Sequence, residues 1–290
     1  MNQTDRDWLA QRFEEQRSRL LAVAYRMLGS LSEAEDAVQE AWLRLSGAAH
    51  EDVDNLGAWL TTVVARISLN VLRSRKTRSE AHVPEPILDR ADGASPEHQA
   101  LLADGVGLAL LVVLETLTPA ERVAFVLHDI FDLSFDEIAS IVQRTPDATR
   151  QLASRGRRRV QGRNATPDAD MTVQRRVVDA FLSAAQDRDF DRLVAVLDPD
   201  VVLRRDASAT GTPIEVRGAE QVARGASSFS RPGLQRRPVL VNGVAGAVAM
   251  LEGKPVAVMA CTVKDEKIVE IEIVGDPARL AQLDLTVLDT

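Results

Sequence analysis

The chain has 290 residues, more than the ~100–200 residues of a usual single domain, so two or three domains are expected. Hydrophobic residues make up 45% and charged residues 27%, a balance that excludes a disordered or collagen-like chain. No apolar run approaches the ~20 residues of a membrane helix, and the polar N-terminus excludes a signal peptide. A single cysteine excludes disulfides within the chain and cysteine-rich zinc sites, so we expect no metal, no cofactor and a reducing cytoplasmic compartment.

The charges are segregated along the chain. The net charge of −8 argues against a protein that coats nucleic acid non-specifically. Residues 32–40 nevertheless carry four acids and no base, residues 73–78 four bases and no acid, and residues 144–163 seven arginines against one acid. Such runs can be solvated helix faces. Their order instead favours one acidic surface for a partner and two contacts with phosphate backbone.

The first ~75 residues show the apolar spacing of helices. Gly29 ends the first predicted helix, and Ser32 with Glu35 forms a capping box that opens the second. A polar loop over 46–55 separates it from a third helix over 58–75.

The middle of the chain predicts a linker followed by a helix-turn-helix. Prolines on both sides of Glu85 and a small, polar stretch after it indicate a linker over 77–100. Further on, an amphipathic helix over 134–142 is followed by a turn at 143–144 and by a second helix that Thr145 caps. A plain helical hairpin with a solvated basic face is the alternative interpretation.

Beyond a second break at 162–170 the pattern changes from helices to a helix followed by strands. A helix over 173–197 comes before segments that are rich in Val and Ile, alternate in polarity and are punctuated by Gly. The predicted strands cover 201–204, 239–251, 255–263 and 268–274. The expected fold is therefore multidomain, with an all-α front followed by an α+β domain.

Two long motifs carry a family resemblance. Residues 121–160 resemble region 4 of extracytoplasmic-function (ECF) sigma factors, and residues 19–45 with 57–75 resemble their region 2. Residues 189–203 resemble the opening of the SnoaL-like extension of one ECF subgroup, the sigma-J type. The resemblance implies region 2 over 1–76, region 4 with its helix-turn-helix over 101–163, and a SnoaL/NTF2-like cone domain over 171–290.

The same resemblance implies roles for three sets of side chains. For the −35 element the DNA-binding set is Arg150, Gln151, Ser154, Arg155, Arg157 and Arg158. For the −10 element the set is Arg66, Asn70, Arg73 and Arg75. For core RNA polymerase, through its β′ subunit, the set is Asp36, Gln39, Glu40 and Trp42. Asp36 and Glu40 lie one helical turn apart, which stabilises nothing without a cationic partner and therefore favours a function.

Motifs of the subgroup also indicate regulatory positions between the domains. The chain keeps the last three residues of a W-L-P-E-P linker motif, only the aspartate of a glycine-rich motif, and a D-P-A-R-L segment near its end. The expected interdomain set is Pro84, Glu85, Pro86, Asp206, Asp276, Pro277, Arg279 and Leu280. Glu85 and Arg279 are opposite in charge, so we hypothesise that they lie close together or bind the same neighbour.

The resulting functional prediction is a sigma factor, not an enzyme, that recruits RNA polymerase to promoter DNA under control in cis by its SnoaL-like domain. An alternative is a SnoaL-like enzyme fused to a DNA-binding module. Residues 171–290 contain neither His nor Tyr, which disfavours acid–base catalysis there. Another alternative is a regulator that acts without polymerase, but it would have no use for residues 19–75. A small-molecule ligand of the C-terminal domain stays open, and no membrane contact is expected.

Overall fold

A computed structural model describes residues 3–47, 55–78, 84–102, 108–161, 170–206, 213–229 and 231–288. The chain forms two compact units. The helical unit comprises residues 1–85, 100–104 and 110–164, and the sheet unit comprises residues 86–99, 105–109 and 165–290. The predicted all-α front followed by an α+β domain is confirmed.

Eight helices precede residue 162 among the described residues. They are α1 Gln3–Leu28, α2 Leu31–Gly47, α3 Leu56–Arg78, α4 Pro96–Leu102, α5 Leu108–Leu114, α6 Pro119–Phe125, α7 Phe135–Val142 and α8 Pro146–Gln161. A single π-helical turn, Val126–Ile130, continues α6. In the helical unit α1, α2 and α3 pack together through fully buried side chains such as Leu20, Met27 and Leu60. The predicted division of this unit at residues 76 and 101 stays a prediction.

The start of α2 differs by one position from the sequence pattern. Gly29 adopts φ 70° and ends α1, as predicted. The Oγ of Ser30 then accepts the N–H of Glu33 at 3.4 Å. Since α2 begins at Leu31, Ser32 already lies inside its first turn, and the predicted capping box at Ser32 and Glu35 is wrong.

The sheet unit contains one seven-stranded sheet in the order β1-β4-β5-β6-β7-β2-β3. Its strands are β1 Leu88–Arg90, β2 Leu197–Arg205, β3 Ile214–Arg217, β4 Gln235–Val241, β5 Val244–Leu251, β6 Lys254–Lys264 and β7 Lys267–Val274. Only the β2–β7 pair is parallel among these strands. The helices are α9 Met171–Asp187, α10 Phe190–Val196, α11 Ala219–Ser228 and α12 Pro277–Leu280, with a 3₁₀ turn at Thr286–Leu288.

Helices α9, α10 and α11 pack on the sheet and form one apolar core with it. Val178, Phe181, Leu193 and Ile271 are at most 3% exposed in this core. Cys261 on β6 is fully buried there. Burial raises the pKa of its thiol to about 12.

The segment that composition predicts as a linker supplies an edge strand. In β1, Leu88 lies opposite Val241 in the sheet register. Asn242 reinforces this edge, because its N–H donates to the carbonyl of Ile87 at 2.8 Å and its Oδ1 accepts the N–H of Ile87 at 3.1 Å. The interpretation of 77–100 as a plain linker is therefore corrected.

The predicted strand over 239–251 is a hairpin. Asn242 and Gly243 have φ values of 50° and 76° and form the tight turn between β4 and β5. The sequence analysis did not predict β3 or α11.

Candidate functional site

Helices α7 and α8 form the predicted helix-turn-helix. Ser134 and Glu137 make a capping box at the start of α7, and Gln143 ends that helix in the left-handed conformation with φ 58°. The Oγ1 of Thr145 accepts the N–H of Ala148 at 3.2 Å and caps α8, whose first residue is Pro146. The two helices, the turn and the Thr145 cap lie where the sequence predicts them, because short caps and turns are set by local chemistry.

One face of α8 is fixed against the rest of the helical unit. Thr149, Ala153 and Val160 are buried on this face. Gly156 lies between them, and a Cβ atom there would approach the Cβ of Phe125 to 2.9 Å and the carbonyl of Glu121 to 3.3 Å. The lack of a side chain at Gly156 therefore lets α8 cross α6 closely, which orients the opposite face.

The opposite face brings five of the six predicted −35 residues together. They line one shallow surface, which we call the α8 surface: Arg150, Gln151, Ser154, Arg155 and Arg158. Arg150 pairs with the exposed Asp147 at 2.9 Å and lies 5.2 Å from the ring of Phe135. Exposed Arg and Gln side chains on the second helix of a helix-turn-helix are able to bond guanine and adenine edges.

Other arginines of α8 are held by carboxylates. Arg157 points to Asp129, with its Nε and Nη2 at 2.6 and 2.5 Å from the same oxygen. The buried Glu121 binds Arg155 at 3.1 Å and Arg159 at 2.8 Å. Arg157 thus lies outside the α8 surface, and one edge of the Arg155 guanidinium is already occupied.

Glu121 is a residue whose role the sequence analysis missed. Burial alone would raise the pKa of its carboxyl. Hydrogen bonds from Thr118 and the charges of Arg159 and Arg155 outweigh burial, so the pKa lies below its ordinary value. The signal available in the sequence was the four-residue spacing of Arg155 and Arg159, which places both on one side of a helix.

The residues predicted for the −10 element lie on α3. Arg66, Asn70 and Arg73 are exposed, and their spacing places them on one helical face. The Arg66 Nη2 donates to the carbonyl of Ser140 at 3.3 Å. The predicted polar loop over 46–55, which precedes α3, falls mostly outside the described residues.

Arg75 does not belong to that face. It is 6% exposed, donates from Nη1 to the carbonyl of Leu28 at 2.9 Å, and pairs with Glu33. Two residues along a helix from Arg73 amount to a rotation of about 200°, which turns Arg75 inward. The prediction that Arg75 faces the promoter strand is wrong, and the residue fixes α3 to the start of α2 instead.

The acidic helix α2 presents part of the predicted polymerase-binding set. Asp36 and Gln39 are exposed, and Trp42 is half-buried with its ring 5.1 Å from that of Phe13. Glu40 binds Arg44 at 2.9 Å. The argument that Asp36 and Glu40 lack a cationic partner is therefore corrected for Glu40, while no described residue pairs with Asp36.

Several of the predicted interdomain residues form a cluster inside the sheet unit. The carboxylate of Asp206 pairs with Arg279 and accepts the N–H groups of Gly275 at 2.7 Å and Asp276 at 3.4 Å. Asp276 in turn caps α12, whose first residue is Pro277. Leu280 at the end of α12 is 3% exposed. This cluster closes the C-terminal segment onto the sheet.

The linker motif falls at the division between the two units. Pro84 and Glu85 belong to the helical unit, where the Glu85 N–H donates to the carbonyl of Gly29 at 2.7 Å and its carbonyl accepts the hydroxyl of Tyr25 at 2.8 Å. Pro86 is the first residue of the sheet unit. The proximity of Glu85 and Arg279 stays a prediction.

The sheet unit contains a cavity of about 230 Å³ between α9, α11 and one face of the sheet. Its lining includes apolar side chains of both helices and of five strands, such as Phe181, Val222, Ile214 and Met259. Two arginines and one amide interrupt that lining, and they are Arg205, Arg236 and Gln221. Within the described ranges, no helix is long and apolar enough to cross a membrane, and no group of three or more His, Cys, Asp or Glu could hold a metal ion.

Comparisons with known proteins agree on one family. Residues 13–78 match the model of sigma-70 region 2, and residues 107–160 match that of sigma-70 region 4. The chain is 38% identical to the ECF RNA polymerase sigma factor SigJ of Mycobacterium tuberculosis, with 91% of each chain covered. It is 35% identical to the "Probable ECF RNA polymerase sigma factor SigI" of the same organism, with 92% of this chain and 93% of that one covered. The crystal structure of SigJ superimposes with a TM-score of 0.73 over 96% of this chain and 100% of that chain, at 34% identity.

Proposed function

The chain belongs to the ECF RNA polymerase sigma factors, which bind core polymerase and promoter DNA to initiate transcription, and we propose that its sheet unit controls that activity in cis. The observation that carries the assignment of surfaces is the α8 surface, an exposed polar and basic face on the second helix of a helix-turn-helix.

We assign the −35 element to the α8 surface. Arg150, Gln151 and Arg158 are exposed and able to reach base edges or phosphates. Arg155 also lines this surface, and Glu121 fixes its orientation by accepting the Nε–H group. Arg157 acts through Asp129 on the shape of the unit rather than on DNA.

We assign the −10 element to Arg66, Asn70 and Arg73 on α3. An exposed amide between two guanidinium groups suits a single strand, whose phosphates and base edges are both accessible. Aromatic residues are only 4% of the chain, so capture of the strand depends on polar contacts more than on stacking.

We assign the β′ subunit of core polymerase to α2. Asp36, Gln39 and the neighbouring Trp42 combine an unpaired carboxylate, an amide and a large aromatic group on one helix. That combination suits an arginine-rich partner surface. Polymerase works in the cytoplasm, which is where we place this chain.

Control by the sheet unit is supported by the structure of the predicted linker, part of which pairs with the sheet as β1. The segment after Pro86 includes a strand of the sheet unit, so the first point at which the chain passes between the units leads directly into the regulatory domain. An enzymatic role is disfavoured, because no described side chain that lines the cavity is a carboxylate, histidine, tyrosine or cysteine. A regulatory domain requires only binding.

Run-off transcription with core polymerase, on a promoter that this sigma factor recognises, tests both the proposed surfaces and the control by the sheet unit. The full chain should give a transcript from a defined start site, whereas a regulator that acts without polymerase would give none. Arg279→Glu should change the transcript level at a temperature well below its thermal midpoint, and the midpoint should itself fall because a second carboxylate meets the buried Asp206. Lys254→Glu, at an exposed position of the same unit, is the matched control. Equal transcription by both variants and the natural chain would contradict control in cis.

A further inference from the structure

Strand alternation separates the charges on the two faces of the sheet. On β2, Leu203 and Arg205 line the cavity, while Arg204 between them lies on the other face. There Arg204 binds Glu270 at 3.3 Å and Glu272 at 2.9 Å on the adjacent β7. The carboxylates of β7 are thus directed away from the cavity, and Arg205 lies opposite an apolar residue of β7 in the register.

Arg205 has no anionic partner within the described part of the chain. Its Nε is buried and makes no hydrogen bond. The guanidinium lies 6.0 Å from the ring of Phe229 and fits against Gly275, where a Cβ atom would come within 3.0 Å of it. The adjacent carboxylate, Asp206, is already satisfied by Arg279 and two backbone N–H groups.

Arg236 reaches the same cavity from β4, on the far side of β5, β6 and β7. It lies opposite Ala249, which in turn lies opposite Ala257, so small side chains leave room beside it. Burial lowers the pKa of Arg236, and no carboxylate opposes that effect. The next residue, Arg237, faces elsewhere and donates to the carbonyl of Leu288 at 2.8 Å.

A cation at an apolar cavity is costly unless an anion joins it, and the buried Nε of Arg205 has no such partner among the described residues. A neutral ligand would leave that cost unchanged and a cationic ligand would add to it. The volume of about 230 Å³ is below the ~300–1,000 Å³ of pockets for drug-sized ligands, so the body of the ligand is small.

We propose that this cavity binds an amphipathic carboxylate, with an apolar body of roughly ten heavy atoms among the apolar side chains and its anionic head at Arg205. Gln221 is placed to donate an additional hydrogen bond from its amide. Binding of such a ligand does not require that the sheet unit control transcription. If control in cis is correct, this ligand is its signal.

Titration calorimetry on the full chain tests the proposal with three probes that share one apolar tail: octanoate, octanol and octylamine. We expect octanoate to bind at least tenfold more tightly than octanol, since hydrogen bonds to charged groups contribute about 1.5–3 kcal/mol. Octylamine should not bind. Equal affinities for octanoate and octanol, or no binding of octanoate up to millimolar concentration, would overturn the proposal.

Variants locate the site. Arg205→Gln should weaken octanoate binding about tenfold and leave octanol binding unchanged. Because the replaced cation is unpaired among the described residues, Arg205→Gln should not lower the thermal midpoint of the free chain. Arg237→Gln, in the same unit but facing away from the cavity, is the matched control and should bind octanoate normally. Unchanged octanoate affinity in Arg205→Gln would contradict the assignment.

A second kind of variant keeps both arginines and removes the space. Ala249→Met fills the cavity beside Arg236 and should abolish binding of octanoate and octanol alike, whereas binding that persists would place the ligand elsewhere. Run-off transcription with and without octanoate is measured separately. A chain that binds octanoate but transcribes unchanged supports this inference and counts against control in cis.

Discussion

Arginines that turn inward have different surroundings in the two units of this protein. In the helical unit two buried guanidinium groups meet carboxylates, as Arg122 meets Glu115 at 2.6 Å and Arg75 meets Glu33, while the buried Arg26 lies 4.8 Å from the ring of Phe131. At the cavity of the sheet unit the half-buried Arg205 and Arg236 face apolar side chains, and the acids of β7 point to the opposite face. A carboxylate beside a buried arginine stabilises the fold, whereas a half-buried arginine at a cavity is able to take an anion from outside.

The arginine-rich segment over 144–163 leaves fewer free guanidinium groups than its sequence suggests. Seven arginines between residues 144 and 163 suggest a continuous phosphate-binding face. Arg155, Arg157 and Arg159 instead spend much of their hydrogen-bonding capacity on Glu121 and Asp129. Charge density along a sequence thus overstates the surface that remains for DNA.

The largest effect should come from removing a carboxylate in the helical unit. Glu115→Ala would leave the fully buried Arg122 without its anion and should lower the free energy of unfolding by about 3–5 kcal/mol. Urea unfolding followed by far-ultraviolet circular dichroism measures the change. The double variant Arg122→Met with Glu115→Leu should recover most of the loss. A loss below about 1 kcal/mol would show that buried arginines here need no partner.

The acids on the outer face of the sheet should make stability depend on pH. Burial raises the pKa of Glu272 to about 7, and the nearby charge of Glu270 adds to the rise against the opposing charge of Arg204. The ordinary pKa of an unfolded glutamate is ~4.3, so the folded chain binds the proton more tightly. This contribution is fully present below pH ~4.3 and is lost as the pH rises through about 7.

The size of that contribution is up to about 4 kcal/mol. Thermal unfolding at pH 5 and pH 8 should therefore show a smaller difference in Glu272→Gln than in the natural chain. Glu220→Gln, an exposed acid of the same unit, should behave like the natural chain. An identical pH dependence in Glu272→Gln would contradict the raised pKa.

Free and paired charges on α2 should differ in their importance for polymerase. Asp36→Arg should weaken binding to core polymerase by about 100-fold, or about 2.7 kcal/mol, because it reverses an unpaired charge against a basic partner. Glu40→Arg should have a smaller effect, since Arg44 already neutralises Glu40. Fluorescence anisotropy of labelled chain measures both, with the exposed Asp7→Arg as control. Equal losses from Asp36→Arg and Asp7→Arg would remove α2 as the docking surface.

The smallest effect is expected on promoter binding, where an arginine of the α8 surface should matter more than Arg157, which Asp129 holds outside that surface. Arg150→Ala should weaken holoenzyme binding to the promoter by about 1–2 kcal/mol, whereas Arg157→Ala should change it by less than about 0.5 kcal/mol. Gel-shift titrations on promoters with altered −35 sequences provide the measurement. A loss that is uniform across these sequences would mean that Arg150 touches phosphate only. A larger loss from Arg157→Ala would reverse the assignment of the two side chains.

Local chemistry was sufficient to predict the helix-turn-helix. The capping threonine, the proline after it and the left-handed turn at Gln143 act within four residues of one another, so the sequence contains all the information. Ser30 and Ser32 show the limit of such patterns, because both stand three residues before a glutamate. The φ of Gly29 selects the first of them.

Features that depend on distant residues were not predictable. β1 is three residues long, and its partner Val239–Val241 lies about 150 positions away, so no local pattern signals a strand. Arg75 follows Arg73 in a basic run, and only the packing of α3 against α1 and α2 shows that it points inward. The unpaired state of Arg205 likewise depends on which face of β7 carries the acids.

The inert thiol of this protein has a practical consequence. The only cysteine in the sequence, Cys261, is buried, and burial raises its pKa to about 12. Since the thiolate is the reactive species, maleimide dyes should not react with Cys261 of the natural chain at neutral pH. Cysteines introduced at the exposed Ser140 and Ser228, one in each unit, can therefore carry a donor and an acceptor dye without any other change. Energy transfer between them would report any movement of the units when polymerase, promoter or octanoate is added.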